Sequence, residues 1–187
     1  NIHHAEDATG PTQEPALQAH WPDSGEMRTD GADAPSSDWQ ADQSKWVSWR
    51  KTGNDLTVSA EIDLGSQKAV EEVMVSLLNQ PTYGLCLPSD IKIAVSNSVN
   101  SDKLDWITVY EGTVADDGTG SGLQKVICEL PEIVRARFVR ITLTQRGEYM
   151  AMDEIEIKGK GDLTNAIDPI DLFTKGLIKL SDGKPYK

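Results

Sequence analysis

Positive charge is in short supply. Eighteen Lys and Arg stand against thirty Asp and Glu, a net charge of −12. Nucleic acids and anionic membrane surfaces both ask for a basic footprint, so the balance argues against either as a partner. It suits a neutral ligand, a cationic ligand or calcium. Cysteine is scarcer still, with Cys86 and Cys128 alone, and neither belongs to a CxxC pair. Histidine is confined to His3, His4 and His20, so no zinc ligand set can be assembled around the two thiols. A cross-strand disulfide and two free thiols both remain open. Long apolar runs are missing as well. None approaches the ~20 residues of a membrane span, and no membrane insertion is expected.

The signatures of catalysis are absent too. There is no GxSxG elbow, no P-loop and no GxGxxG. His20 is the only histidine away from the terminus, and no Ser-His-Asp order can be built on it. The run Gly118-Thr119-Gly120-Ser121-Gly122 lies between strand candidates and reads as a flexible loop, not a strand-to-helix phosphate cradle. With thirty acids, chance carboxylate pairs carry no weight. Independent enzymatic activity is not expected. Helical periodicity is lacking; Glu132-Ile133-Val134-Arg135 makes at most one turn.

What is present is alternation. Residues 1–56 are rich in Asp, Ser, Pro, Gly and Trp and read as long loops. From Thr57 to Leu64 every second residue is apolar, the mark of a half-buried strand, and Gly65-Ser66 ends it. Strand candidates follow at Val70–Leu78, Ile91–Ser96, Trp106–Tyr110, Leu123–Leu130 (closed by Pro131), Arg137–Thr144 and Glu154–Lys158. About seven short strands with turn signals between them predict a β-sandwich or jelly roll. A chain of 187 residues suffices for one such domain and a tail. Residues 1–160 are taken as the module and 161–187 as a linker. The chain opens at Asn1 without Met and reads as a piece of a longer protein.

The order of several short motifs resembles the coagulation factor 5/8 type C (discoidin-like) domains, and among them the bacterial family 32 carbohydrate-binding modules. Thr29-Asp30-Gly31 follows the turn Pro22-Asp23-Ser24-Gly25, and Trp46-Val47-Ser48-Trp49 follows that. Glu61-Ile62-Asp63-Leu64-Gly65 resembles the family's first core strand, and Leu87–Ser96 its "LPxxIxVxxS" strand, with Trp106 after the next turn. Arg137-Phe138-Val139-Arg140-Ile141 resembles its "RYVRI" strand, and Asp153-Glu154-Ile155-Glu156-Ile157 its closing "SEIEV". The match covers about residues 20–160. Gly183-Lys184-Pro185-Tyr186 resembles the "GKPY" opening of a further copy, which implies neighbouring modules in the parent chain.

The resemblance implies an all-β, discoidin-like jelly-roll β-sandwich (galactose-binding-domain-like). It implies a secreted or cell-surface, multimodular, glycan-active parent. It also implies a structural Ca²⁺ held by Asp30 and Glu154; Asp33 joins them on position alone. Sugar recognition calls for loop aromatics that stack on pyranose faces and polar groups that bond hydroxyls. Tyr83, ahead of the "LP" strand, and Tyr149, in the last hairpin with Arg146, lead that set. His20, Trp21 and Trp39 are further ligand candidates; Trp21 and Trp39 equally suit packing of the N-terminal loop. Trp46 and Trp106 are expected in the core, and Trp49 suits either place. The expected function is a non-catalytic carbohydrate-binding module. The alternative is an adhesion or protein-interaction domain using the same loops.

Overall fold

The computed structural model describes residues 18–21 (as backbone), 46–51, 57–98, 105–116, 120–159, 162–174 and 176. Seven strands are described: β1 (Gln18–Trp21), β2 (Val47–Arg50), β3 (Thr57–Asn79), β4 (Asp90–Ser96), β5 (Ile107–Thr113), β6 (Gly122–Thr144) and β7 (Tyr149–Lys158). All pairings between them are antiparallel, in the order β1-β2-β7-β3-β6-β4-β5.

Two long strands turn this order into two layers. The first half of β3 pairs with the second half of β6, which pairs with β4 and through it β5. The second half of β3 lies between the first half of β6 and β7, and β7 continues to β2 and β1. Side chains from the inner faces of both layers form one core, including Ile62, Val73, Val75, Ile93, Val139 and Ile141. The expected all-β sandwich is what forms.

The bend between layers explains a difference from the sequence reading. Gly65-Ser66 and Pro131 were expected to end strands, yet β3 and β6 run through them, each 23 residues long. Gly65 has φ 75°, a conformation that costs glycine little, and its N–H donates to Asp63 Oδ1 at 2.8 Å. The β3–β6 register breaks between Asp63 and Lys68 and again between Val70 and Glu72. Residues 130–133 have no partner on β3, so the N–H that Pro131 lacks is not missed there. Arg137 clamps the bend, donating to Asp63 at 3.1 and 3.0 Å and holding that carboxyl below its ordinary range.

Two further expectations are corrected. Residues 1–56 are not all loop, since β1 and β2 extend the larger layer. Each spans four residues, too few to display a period. Residues from 162 onward do not all lie apart from the sandwich. Ile167 exchanges backbone hydrogen bonds with Ile133 and Arg135 at 2.9 and 2.8 Å. A short helix, α1 (Pro169–Thr174), then places Leu172, fully buried, in the core cluster. The tail motif Gly183–Tyr186 lies outside the described residues. Among the described residues, no helix is long and apolar enough to cross a membrane.

The tryptophans sort by face. Trp46 and Trp49 are each 1% exposed. Trp106, expected in the core, is only half-buried, with the Arg140 guanidinium 4.0 Å over its ring and Glu61 bonded to that guanidinium at 2.6 and 2.9 Å. Cys86 and Cys128 are free thiols. Burial pushes Cys128 up to about 11 and also raises Cys86, so neither is a ready thiolate.

Candidate functional site

At one end of the sandwich, three connections meet: 80–89, the described residues 114–116 and 120–121 between β5 and β6, and 145–148. The first begins as a tight turn. Pro81 opens a 3-10 turn that carries Tyr83, and Gly84 at φ 75° closes it, donating to Pro81 O at 2.9 Å. Gln80 and Leu85 bond each other's backbone across the turn at 2.8 and 3.3 Å. Tyr83 thus stands at the tip of a pinned loop, 59% exposed.

The last hairpin is fastened to that loop. Tyr149 N–H donates to Gly84 O at 2.9 Å, and Cys86 N–H donates to Tyr149 O at 3.0 Å. Gln145, 2% exposed, donates through Nε2 to Trp49 O at 3.2 Å and Glu148 O at 3.0 Å. Lys51 N–H also reaches Glu148 O, at 2.7 Å. The Glu148 carbonyl is therefore held from two directions, by one backbone donor and one side-chain donor. A Cβ built on Gly84 would lie 3.5 Å from both Glu148 Cβ and Tyr149 Cδ2. Tyr83, Glu148 and Tyr149 share one small surface.

Tyr149 has two environments. It packs against the second apolar cluster, Trp46, Leu78, Leu85 and Ala151. The guanidinium of Arg50 also lies over its ring, 5.6 Å from the centroid, and pairs with Glu148 Oε1 at 3.1 Å. Arg50 and Glu148 have side chains 55% and 54% exposed.

Arg146, nominated above as a ligand partner, has its guanidinium committed. Nη2 donates to Val114 O at 2.6 Å, and Nη1 pairs with Asp116 at 3.2 Å, whose side chain is 6% exposed. At the other end of the same connection, Asn79 Nδ2 donates to Gly120 O at 3.1 Å. Arg146 and Asn79 brace the β5–β6 connection against the loop end.

The structure brings Tyr83, Arg146 and Tyr149 together. His20 and Trp21 lie on β1, with side chains outside the described residues, and Trp39 is outside them altogether. Sequence reasoning missed Arg50, Glu148 and Asp116. Only Glu148, lying between the nominated Arg146 and Tyr149, had a signal that could have found it.

Glu154 sits on a different part of the larger layer. Ser76 of β3 pairs with Glu154 but Leu77 with Met152, so Asp153 is an inserted residue, a β-bulge. Met150, Met152 and Ile155 all face the core, so the parity of β7 changes at 153–154. Asp153 and Glu154 thereby fall on the same outer face, each 1% exposed. Ser76, on that face opposite Glu154, is 0% exposed, and among the described residues its Oγ has no hydrogen-bond partner. β1 ends at Trp21 and β2 begins at Val47, whose partner is Met152, so the chain leaves and rejoins the sheet beside the bulge. Carboxylate and hydroxyl oxygens are the donors a hard cation takes, and this patch fits one. Among the described residues, no three His, Cys, Asp or Glu side chains form a metal cluster, and Asp30 and Asp33 lie outside them.

A wide hollow of about 670 Å³ opens on the outer face of the smaller layer, lined by Thr57, Asp90, Lys92, Glu111, Thr142 and Thr144 among others. No aromatic residue is among those lining it.

A two-layer antiparallel sandwich whose first and second layers share two kinked strands is a discoidin-like β-sandwich. The F5/8 type C domain matches residues 8–155, and the chain belongs to that family. Among solved structures it is similar to SpGH29, at 20% identity and TM-score 0.52, over 86% of this chain and 28% of that one. It is also similar to chitosan-binding module 1 of a chitosanase/glucanase from Paenibacillus sp. IK-5, at 18% identity and TM-score 0.55, over 85% of this chain and 98% of that one. Module 2 of the same protein, solved with chitotriose, gives 17% and 0.54, over 85% and 100%. No curated protein matches the chain in sequence.

Proposed function

We propose that this chain is a non-catalytic carbohydrate-binding module that takes glycan at the loop end formed by residues 80–86, 114–116 and 145–149. The observation that carries this reading is Tyr83, an exposed ring on a pinned loop beside polar groups fixed in place. A preorganised aromatic with a few oriented polar partners suits a pyranose, whose faces are apolar and whose edges are hydroxyls. The chitosan-binding modules of similar fold add support. A shallow site of this kind binds in the high micromolar to millimolar range, and neighbouring modules in a secreted parent would raise avidity through effective concentration.

Tyr83→Ala is the diagnostic variant. It should weaken glycan binding about tenfold, the loss of one stacking contact, and leave the melting temperature unchanged. Tyr149→Ala should lower the melting temperature as well, because that ring also packs on Trp46 and Leu78. Isothermal titration across neutral, amino and acidic sugars measures this. Undiminished binding by Tyr83→Ala removes the loop end as the site. Binding to a protein partner that no soluble sugar competes away would favour the adhesion reading.

We also propose a structural Ca²⁺ at the bulge, held by Glu154 with Asp153 beside it and by Asp30, with Asp33 as a further donor. The support is the donor set: two buried carboxylates and a hydroxyl on one face, the hard oxygen ligands that Ca²⁺ takes. An ion bound only by the folded state stabilises it by about 3 kcal/mol at a hundredfold excess over its dissociation constant. Chelation should lower the melting temperature, and Asp30→Ala should remove that sensitivity. A melting curve unmoved by EDTA, with metal analysis confirming a metal-free protein, refutes the ion.

A further inference from the structure

We infer that the loop end selects an amine-bearing, cationic sugar, and that Arg50 occupies in the free protein the place its ammonium takes. This rests on the glycan-binding reading above and names the ligand's chemistry. The Arg50 guanidinium sits in a box with two walls: the Tyr149 ring, 5.6 Å away, and the Glu148 carboxylate, 3.1 Å away. A ring face beside a carboxylate is the environment that holds an organic cation, whether guanidinium or ammonium. Both walls lie within ordinary contact of the space over Gly84, next to Tyr83. A sugar stacked on Tyr83 can therefore present a ring amine to the box.

The two members of the ion pair are not equally replaceable. Both main chains are held, Glu148 by Lys51 N–H and the buried Gln145 side chain and Arg50 by pairing with Tyr149. What distinguishes the two is the ring face, which favours a cation. Arg50 ends β2 and reaches the box on a long stem, 55% exposed. An exposed pair of this kind contributes little, about 0–1 kcal/mol, so an incoming cation displaces the guanidinium at small cost. A sugar carboxylate would instead have to displace Glu148 and lie beside the Tyr149 ring face, whose quadrupole attracts cations and not anions. Among the described residues, the other guanidinium at this end is already engaged: Arg146 is bonded to Val114 O and paired with Asp116. At longer range the net charge of −12 draws cations toward the chain and repels polyanions.

The test compares a β-1,4-linked glucosamine trimer with its fully N-acetylated counterpart, by titration calorimetry at low and high salt. The parent protein should bind the amine trimer about fivefold or more tightly than the acetylated one, and salt should narrow that ratio. Glu148→Gln should bring the ratio close to one. Arg50→Ala should raise it severalfold, because the box then holds no internal cation. Both residues are exposed, and melting curves verify that each variant folds. Equal or tighter binding of the acetylated trimer, with a ratio that Glu148→Gln does not change, overturns the inference and leaves the glycan-binding reading standing. So does tighter binding of a uronate trimer that is lost in Arg50→Ala. Failure of every glycan, neutral or charged, to bind the parent protein overturns the module reading itself, and this inference with it.

Discussion

Leu172→Ala should destabilise the domain by about 2–5 kcal/mol, the range for truncating a fully buried leucine. Leu172 is 0% exposed and belongs to the main core cluster, though it lies after the last strand and outside residues 8–155. Two features bring it there. Ile167 forms a parallel bridge with Val134, bonding Ile133 and Arg135 of β6. The N–H of Asp171 donates to Asp168 O at 2.9 Å in the first turn of α1, which carries Leu172 onto β5 and β6. For a domain of this size the loss corresponds to roughly 5–15 °C in melting temperature. Ile170, on the same helix and 58% exposed, is the matched control, and Ile170→Ala should change stability by less than about 0.5 kcal/mol. A chain ending at residue 161 should melt lower than Leu172→Ala. If Leu172→Ala melts with the parent, the segment after β7 is an appendage and the domain ends near residue 160.

The strands were legible where one face is wet and the other dry. Val58, Ala60, Ile62 and Leu64 alternate with polar residues because the smaller layer has one face in water, and the structure buries those four. From Val73 to Asn79 every residue is buried on one face or the other, so the run carries no period and was recognised by composition alone. Gly65 and Pro131 were read as stops because both usually are. That a kinked pair of strands keeps pairing on either side depends on contacts between residues about 40 to 90 apart, which no local pattern contains. The site divides the same way. Tyr83 and Tyr149 flank strands at recognisable places and could be nominated in advance. The Arg50–Glu148 pair joins residues 98 apart and exists only because Arg50 pairs with Tyr149 in the β2–β7 register. Arg146 shows the limit of residue type as a guide: its chemistry suited a ligand, but its neighbours Val114 and Asp116 already engage it.

Gly147→Ala should unseat the candidate site and destabilise the domain together. The backbone at Gly147 is not in the left-handed region, so conformation alone does not demand glycine; the lack of room does. A Cβ there would stand 2.5 Å from Cys86 Sγ, 2.8 Å from Cys86 Cβ and 3.0 Å from Gly84 O. Those atoms belong to the loop that carries Tyr83, so relief must come from parting the two loops. Parting them stretches the bonds from Tyr149 N–H to Gly84 O and from Cys86 N–H to Tyr149 O, now 2.9 and 3.0 Å. Overpacking of this kind costs about 1–3 kcal/mol, a drop of roughly 5 °C here. Glycan affinity should fall further than for Tyr83→Ala, because the ring and Glu148 lose their relation at once. Cys86→Ala removes the nearest atom, so the double variant Cys86→Ala/Gly147→Ala should recover part of both losses, a non-additivity expected of neighbours in contact. Parent-like melting and parent-like glycan binding by Gly147→Ala would show that the two loops need not touch for the site to exist.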